Sequence, residues 1–115
     1  MASTEEVQNK LEELISRLGE SEEAARELQR SLPDPRIIAV HVTDHDDHFW
    51  TELTGGALSA LRREAHDQAH IRIAAGSDDL VALVDGGASL FSAYISGRIR
   101  VEASFSDLMK LRRLA

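Results

Sequence analysis

"RIIAVHVTDHDDHFWTELT", running from Arg36 to Thr54, is where the chain changes its period. Before it, apolar residues recur every three or four positions; within it they alternate with polar ones. Ile38, Val40 and Val42 share one face of the first run, and Phe49, Thr51 and Leu53 share one face of the second. The tip between them, Asp44 to Asp47, is turn chemistry, because Asp side chains bond their own backbone. A four-residue turn there sets Val42 opposite Phe49, Val40 opposite Thr51 and Ile38 opposite Leu53, which joins the two apolar faces. The stretch predicts a β-hairpin with one face in a core.

Downstream, Gly55-Gly56 supplies a two-residue turn, and Leu58 returns opposite Leu53. "HIRIAA" (residues 70–75) and "RIRVEA" (98–103) alternate in the same way and predict two more strands. The flanks read as helices. Ser3 and Glu6 form a capping box before Val7, Leu11, Leu14, Ile15 and Leu18, with Gly19 as the stop. Ser21 starts a second helix that ends before "PDP". Ser77 is placed as the cap of a third helix that Gly86-Gly87 ends, and Ser89 as the cap of a fourth that Gly97 stops. Ser104 and Asp107 open a fifth. The result is one α+β domain over residues 1–115: helices in 1–33, strands in 36–75, helices in 77–96, a last strand in 98–104 and a helix in 105–115. The expected sheet has five strands, is largely antiparallel, and carries its helices on one face.

Composition narrows the function. At 115 residues the chain can bury a core without staples, and it has no cysteine for disulfides or thiolate metal sites. A net charge of −7 opposes nucleic-acid phosphates, so no nucleic-acid partner is expected. The acidic start and the "RRLA" end carry no targeting pattern, which suggests a cytoplasmic protein. The cluster "HVTDHDDH" offers His41, His45, His48, Asp44, Asp46 and Asp47 as ligand types, but without a metalloprotease spacing and at a turn; no metal site is assigned to it. There is no nucleophile elbow, no phosphate loop and no dinucleotide fingerprint, so no catalytic residue and no cofactor are expected.

"LVALVDGGASLFSAYISGRIRVEASFSDLMKLRRLA" (residues 80–115) resembles the C-terminal signature of the type-2 sterol carrier protein family. The matching positions are Gly86, Phe91, Tyr94, Gly97, Arg98, Ile99, Arg100, Val101, Lys110 and Leu111. The chain departs from the family where Ala103 and Ser104 replace a usual Gly-Asn, and it lacks the usual peroxisomal tail, which looks like a prokaryotic relative. The resemblance implies a non-catalytic fold with a hydrophobic tunnel between sheet and helices. Its ligand would be a sterol, fatty acyl chain or isoprenoid, and its walls Phe49, Ile73, Phe91, Tyr94, Ile95, Ile99, Val101, Phe105, Leu108 and Met109. Spacing alone favours a filled core; the resemblance implies a hollow one.

Two other readings stay open at this level. Ile37, Ala39, Trp50 and Leu61 make an apolar patch on the outer sheet face, which suits a homodimeric accessory or scaffold domain of a biosynthetic enzyme. A small enzyme acting on a hydrophobic substrate would draw on His41 or Glu52 as acid or base. Membrane contact is expected to be transient at most.

Overall fold

The computed structural model describes residues 1–86 and 90–114. Two helices lead, Thr4–Gly19 (α1) and Glu22–Ser31 (α2). Each is opened by a serine whose hydroxyl accepts a backbone N–H three residues on: Ser3 from Glu6 and Ser21 from Ala24, both at 3.1 Å. Glu5, Glu6, Glu22 and Glu23 lie in the first turns, where the helix dipole favours negative charge. Gly19, expected as a left-handed stop, remains inside α1; Glu20 caps the helix in a right-handed conformation, so no glycine is required there. Pro33 and Pro35 then prevent α2 from continuing.

The strands are Arg36–Val42 (β1), Asp47–Thr54 (β2), Ala57–Leu58 (β3), Ile71–Ala75 (β4) and Ile99–Glu102 (β5). They form one open sheet in the order β3-β2-β1-β4-β5. β1 and β4 run parallel and the other pairs antiparallel, so the sheet is mixed. The hairpin exists with its register displaced by two residues from the expected one. Val40 pairs with Phe49, Ile38 with Thr51 and Arg36 with Leu53. The turn is Thr43–Asp46 rather than Asp44–Asp47, because Asp46 takes the left-handed conformation (φ 51°) and Asp47 joins β2. A shift of two keeps every side chain on its face. The Gly55-Gly56 turn pairs Leu53 with Leu58 as expected. Gly56 has φ 81°, and a Cβ there would lie 2.2 Å from the carbonyl oxygen of Ala25 in α2. Only glycine lets this turn seat against the helix backbone.

Ser77–Val84 (α3), Leu90–Ile95 (α4) and Phe105–Leu114 (α5) complete the chain. The expected caps at Ser89 and the stop at Gly87 lie outside the described residues. Ser77 is not the cap of α3: Gly76 holds that position and has no side chain to offer. The acceptor comes from the hairpin turn instead. Asp44 takes the Ser77 N–H at 2.9 Å and the Ser77 hydroxyl at 2.6 Å. The hydroxyl bond is the main cause that holds the Asp44 carboxyl below its ordinary range. A carboxylate with a depressed folded pKa adds stability above its unfolded value, and that stability is lost as pH falls through the folded value. The difference in unfolding temperature between the wild type and Asp44→Asn is therefore expected at pH 7 and shrinks below about pH 4. A difference that is the same at pH 7 and pH 3 contradicts this role.

Candidate functional site

The helices lie on one face of the sheet and bury it in two separate groups. In the first, Val7 of α1, Leu80 of α3 and Ala93 of α4 pack on Val40, Val42, Phe49, Ala75 and Ile99. In the second, Leu32 closes on Leu53 and Ile71, with Leu28, Ile38, Leu58, Ala103 and Leu111 of α5 around them. Ile73 and Val101 touch both groups and belong fully to neither. These two are cross-strand partners on β4 and β5. Their strand neighbours Ile71, Ala75 and Ile99 are sealed, yet Ile73 and Val101 are only half-buried. Ile73 and Val101 thus form an apolar seam where the two helical groups meet over the middle of β4 and β5.

The segments on either side of β5 supply exposed apolar side chains. Besides Met1, the large hydrophobics exposed among the described residues are Tyr94 and Ile95 of α4 and Phe105 and Met109 of α5. Ile95 and Phe105 retain 67% and 76% of their free area. The expected lining residues therefore separate by depth. Phe49 and Ile99 are packed in the first group, Ile73, Val101 and Leu108 are half-buried, and Tyr94, Ile95, Phe105 and Met109 face outward. The Phe91 side chain lies outside the described part of the structure.

A polar clasp holds α5 to the sheet beside the seam. Arg36 donates from Nε and Nη2 to the two carboxylate oxygens of Asp107, at 3.0 and 3.2 Å. The side chains are 15% and 7% exposed. Those hydrogen bonds are the main cause that raises the Arg36 pKa above its ordinary value. Ser104 accepts the Asp107 N–H at 3.1 Å, the cap expected from the sequence. The clasp itself was not expected, although Arg36 carries the same strand phase as Ile38 and Val40.

The opposite, outer face of the sheet mixes polar and apolar side chains. A depression of about 180 Å³ there is lined by His41, His48, His66, Arg72, Arg100 and Glu102, and Ile73 of the seam contributes to its floor. The apolar patch anticipated on this face is partly covered by the chain itself. His66 sets its ring edge-on to Trp50 at 4.7 Å, and the Arg62 guanidinium lies 5.9 Å from the Trp50 ring centre. Leu61 turns away and packs on the first helical group. His41 and Glu52 do not converge: Glu52 pairs with Ile37, four residues along β1 from His41, or about 13 Å at a strand's rise. Among the described residues no helix is long and apolar enough to cross a membrane.

Residues 9–115 match the SCP-2 sterol transfer family. No curated protein sequence matches the chain. A sterol carrier protein 2 like 2 from Aedes aegypti superposes with a TM-score of 0.68 at 12% identity, over 96% of this chain and 97% of that one. The same Aedes protein in its palmitated form gives 0.65 at 12% identity, over 98% and 94%. UbiJ-SCP2, a ubiquinone synthesis protein, gives 0.65 at 18% identity, over 99% and 92%. The sec-alkylsulfatase Pisa1 from Pseudomonas sp. gives 0.59 at 13% identity, over 78% of this chain. There the chain spans only 14% of the sulfatase's length.

Proposed function

The chain belongs to the SCP-2 sterol transfer family, and on that premise we propose that it binds and transfers an apolar ligand of the lipid class at the Ile73–Val101 seam. The observation that carries the reading is that this half-buried cross-strand pair packs against both helical groups at once. Exposed Tyr94, Ile95, Phe105 and Met109 on the flanking helices extend the apolar surface from the seam toward solvent. Their exposure also suits brief contact with a bilayer during exchange. Phe49 and Ile99, sealed in the first group, support the seam from behind, and α5 closes the site under the Arg36–Asp107 clasp.

The energetics fit a carrier. Burying on the order of 400 Å² of ligand surface yields about 10 kcal/mol at ~25 cal/mol/Å². Association and ordering take back several kcal/mol. At the low end of that cost, about 4 kcal/mol, the remainder of about 6 kcal/mol corresponds to roughly tens of micromolar, loose enough for release. Met109 suits varied chains, since an unbranched thioether adapts its shape. The two natural probes are an acyl chain and an isoprenoid, given the palmitated Aedes protein and the ubiquinone synthesis protein that share the fold.

A fluorescent fatty-acyl probe tests the reading. Saturable binding that palmitate displaces is expected, weakened about tenfold or more in Val101→Asp, with Ile37→Asp on the outer face unchanged. Absence of saturable binding, or equal binding by the two variants in folded form, contradicts it. A second reading is favoured by the partial match to Pisa1, where the fold is one part of a larger enzyme. On that reading the chain serves as an accessory domain, and the seam presents its ligand to a partner enzyme rather than to a membrane.

A further inference from the structure

The hairpin tip contributes a second feature, on the face away from the seam. Six residues there carry ligand-type side chains, and the fold disperses three of them. Asp44 is committed to the start of α3. His45 bonds the Ala2 carbonyl at 2.7 Å, and Asp47 accepts from the Thr4 hydroxyl. Both tie the N-terminus to the turn. His41, Asp46 and His48 remain, and among the described residues their side chains engage one another.

His41 and His48 are direct cross-strand partners. Their rings stack with centres 4.3 Å apart and planes within 4°. Asp46 has a left-handed backbone (φ 51°), and its carboxylate lies beside the Nε2 atoms of both rings. Its Oδ1 lies 2.9 Å from His41 Nε2 and 3.6 Å from His48 Nε2. One ligand atom from each of the three lies within 4.8 Å of the others. Ligands at about 2.0–2.1 Å from a zinc ion stand roughly 3.0–3.4 Å apart. Convergence on one ion requires the two rings to rotate out of their parallel stack, which the partial exposure of all three groups permits.

The geometry points to a binding site for a divalent first-row transition ion formed by His41, His48 and Asp46. Two imidazoles and one carboxylate select zinc, copper, nickel or cobalt over calcium and magnesium, which require oxygen ligands. His41 and His48 also line the outer depression, which leaves space beside the cluster for water ligands. This departs from the expectation that the cluster holds no metal. The sequence shows six candidate ligands, and only the turn geometry reduces them to a converging three. An ion here would staple β1 to β2 across the turn that also caps α3, leaving the lipid seam on the opposite face untouched.

Zinc chloride titrated into the purified, chelator-treated protein tests the site by calorimetry and thermal unfolding. One ion per chain is expected, with an unfolding temperature that rises with zinc because the ion binds the folded state alone. His41→Gln and His48→Gln each weaken binding by about tenfold or more, and leave the zinc-free unfolding temperature nearly unchanged. His66→Gln, in the same depression, and His70→Gln keep full affinity. In NMR spectra zinc shifts the ring signals of His41 and His48 and spares those of His70. Absence of stoichiometric binding overturns the proposal. So does zinc binding that survives both glutamine substitutions, which identifies an adventitious ion only.

Discussion

Truncating Phe49 to alanine is expected to lower the unfolding temperature by roughly 15 °C, at about 4 kcal/mol for a chain of this size. Phe49 is completely buried on β2, in the group that joins α1, α3 and α4 to the sheet. Its removal loses the transfer free energy of a ring and leaves a cavity that the surrounding side chains fill only in part. Total stability for a domain is about 5–15 kcal/mol, so this one substitution costs a large share of it. Ile95→Ala is the contrast. That side chain is apolar but 67% exposed, and its loss should fall within about 0.5 kcal/mol of neutral. Differential scanning calorimetry reads both. A Phe49→Ala protein that loses less than about 1 kcal/mol places the core elsewhere.

Asp107→Ala is expected to cost about 3 kcal/mol, since it leaves Nε and Nη2 of a mostly buried Arg36 side chain without their acceptor, while Nη1 keeps the Asp34 and Pro35 carbonyls. The loss is localised. Arg36 sits on β1 and Asp107 in the first turn of α5, so the broken contact is the one that holds α5 to the sheet. Hydrogen exchange in α5 should rise before exchange in β1 and β4. Because α5 closes the proposed ligand site, probe dissociation should also accelerate. Replacing both partners, as Arg36→Met with Asp107→Leu, should recover most of the stability, because desolvating an ion pair offsets much of its attraction. An Asp107→Ala protein within about 0.5 kcal/mol of the wild type removes the clasp from the account.

Most of the architecture was legible from period alone. The change from helical to alternating spacing at Arg36 located the sheet, and the alternation assigned the faces of Ile38, Val40, Phe49 and Ile73 correctly. The register slipped because "TDHDDH" offers several aspartates suited to a turn, and which of them adopts positive φ is settled by distant contacts. Asp44 is drawn to Ser77, 33 residues away, and Asp47 to Thr4, 43 residues away. Local propensity contains neither. The same blindness hid the trans-cap of α3 and the Arg36–Asp107 clasp.

The candidate site was legible in part. Alternation places Ile73 and Val101 inward, but their half-burial arises from how five helices divide into two groups, a tertiary fact. Tyr94 and Ile95 sit on a helix of 6 residues, too short for an apolar stripe to declare which side faces the core. Phe105 opens α5 a full turn before Leu108, and at that end of the helix it projects past the packed layer.

The most direct measurement is isotope-filtered NMR on methyl-labelled protein saturated with palmitate. Nuclear Overhauser contacts are expected from the acyl methylenes to the Ile73 and Val101 methyls, with weaker ones to Leu108 and Met109. Contacts that instead gather on the outer face near Ala39 and Ala74, with Ile73 and Val101 silent, would contradict the assignment of the seam as the lipid site.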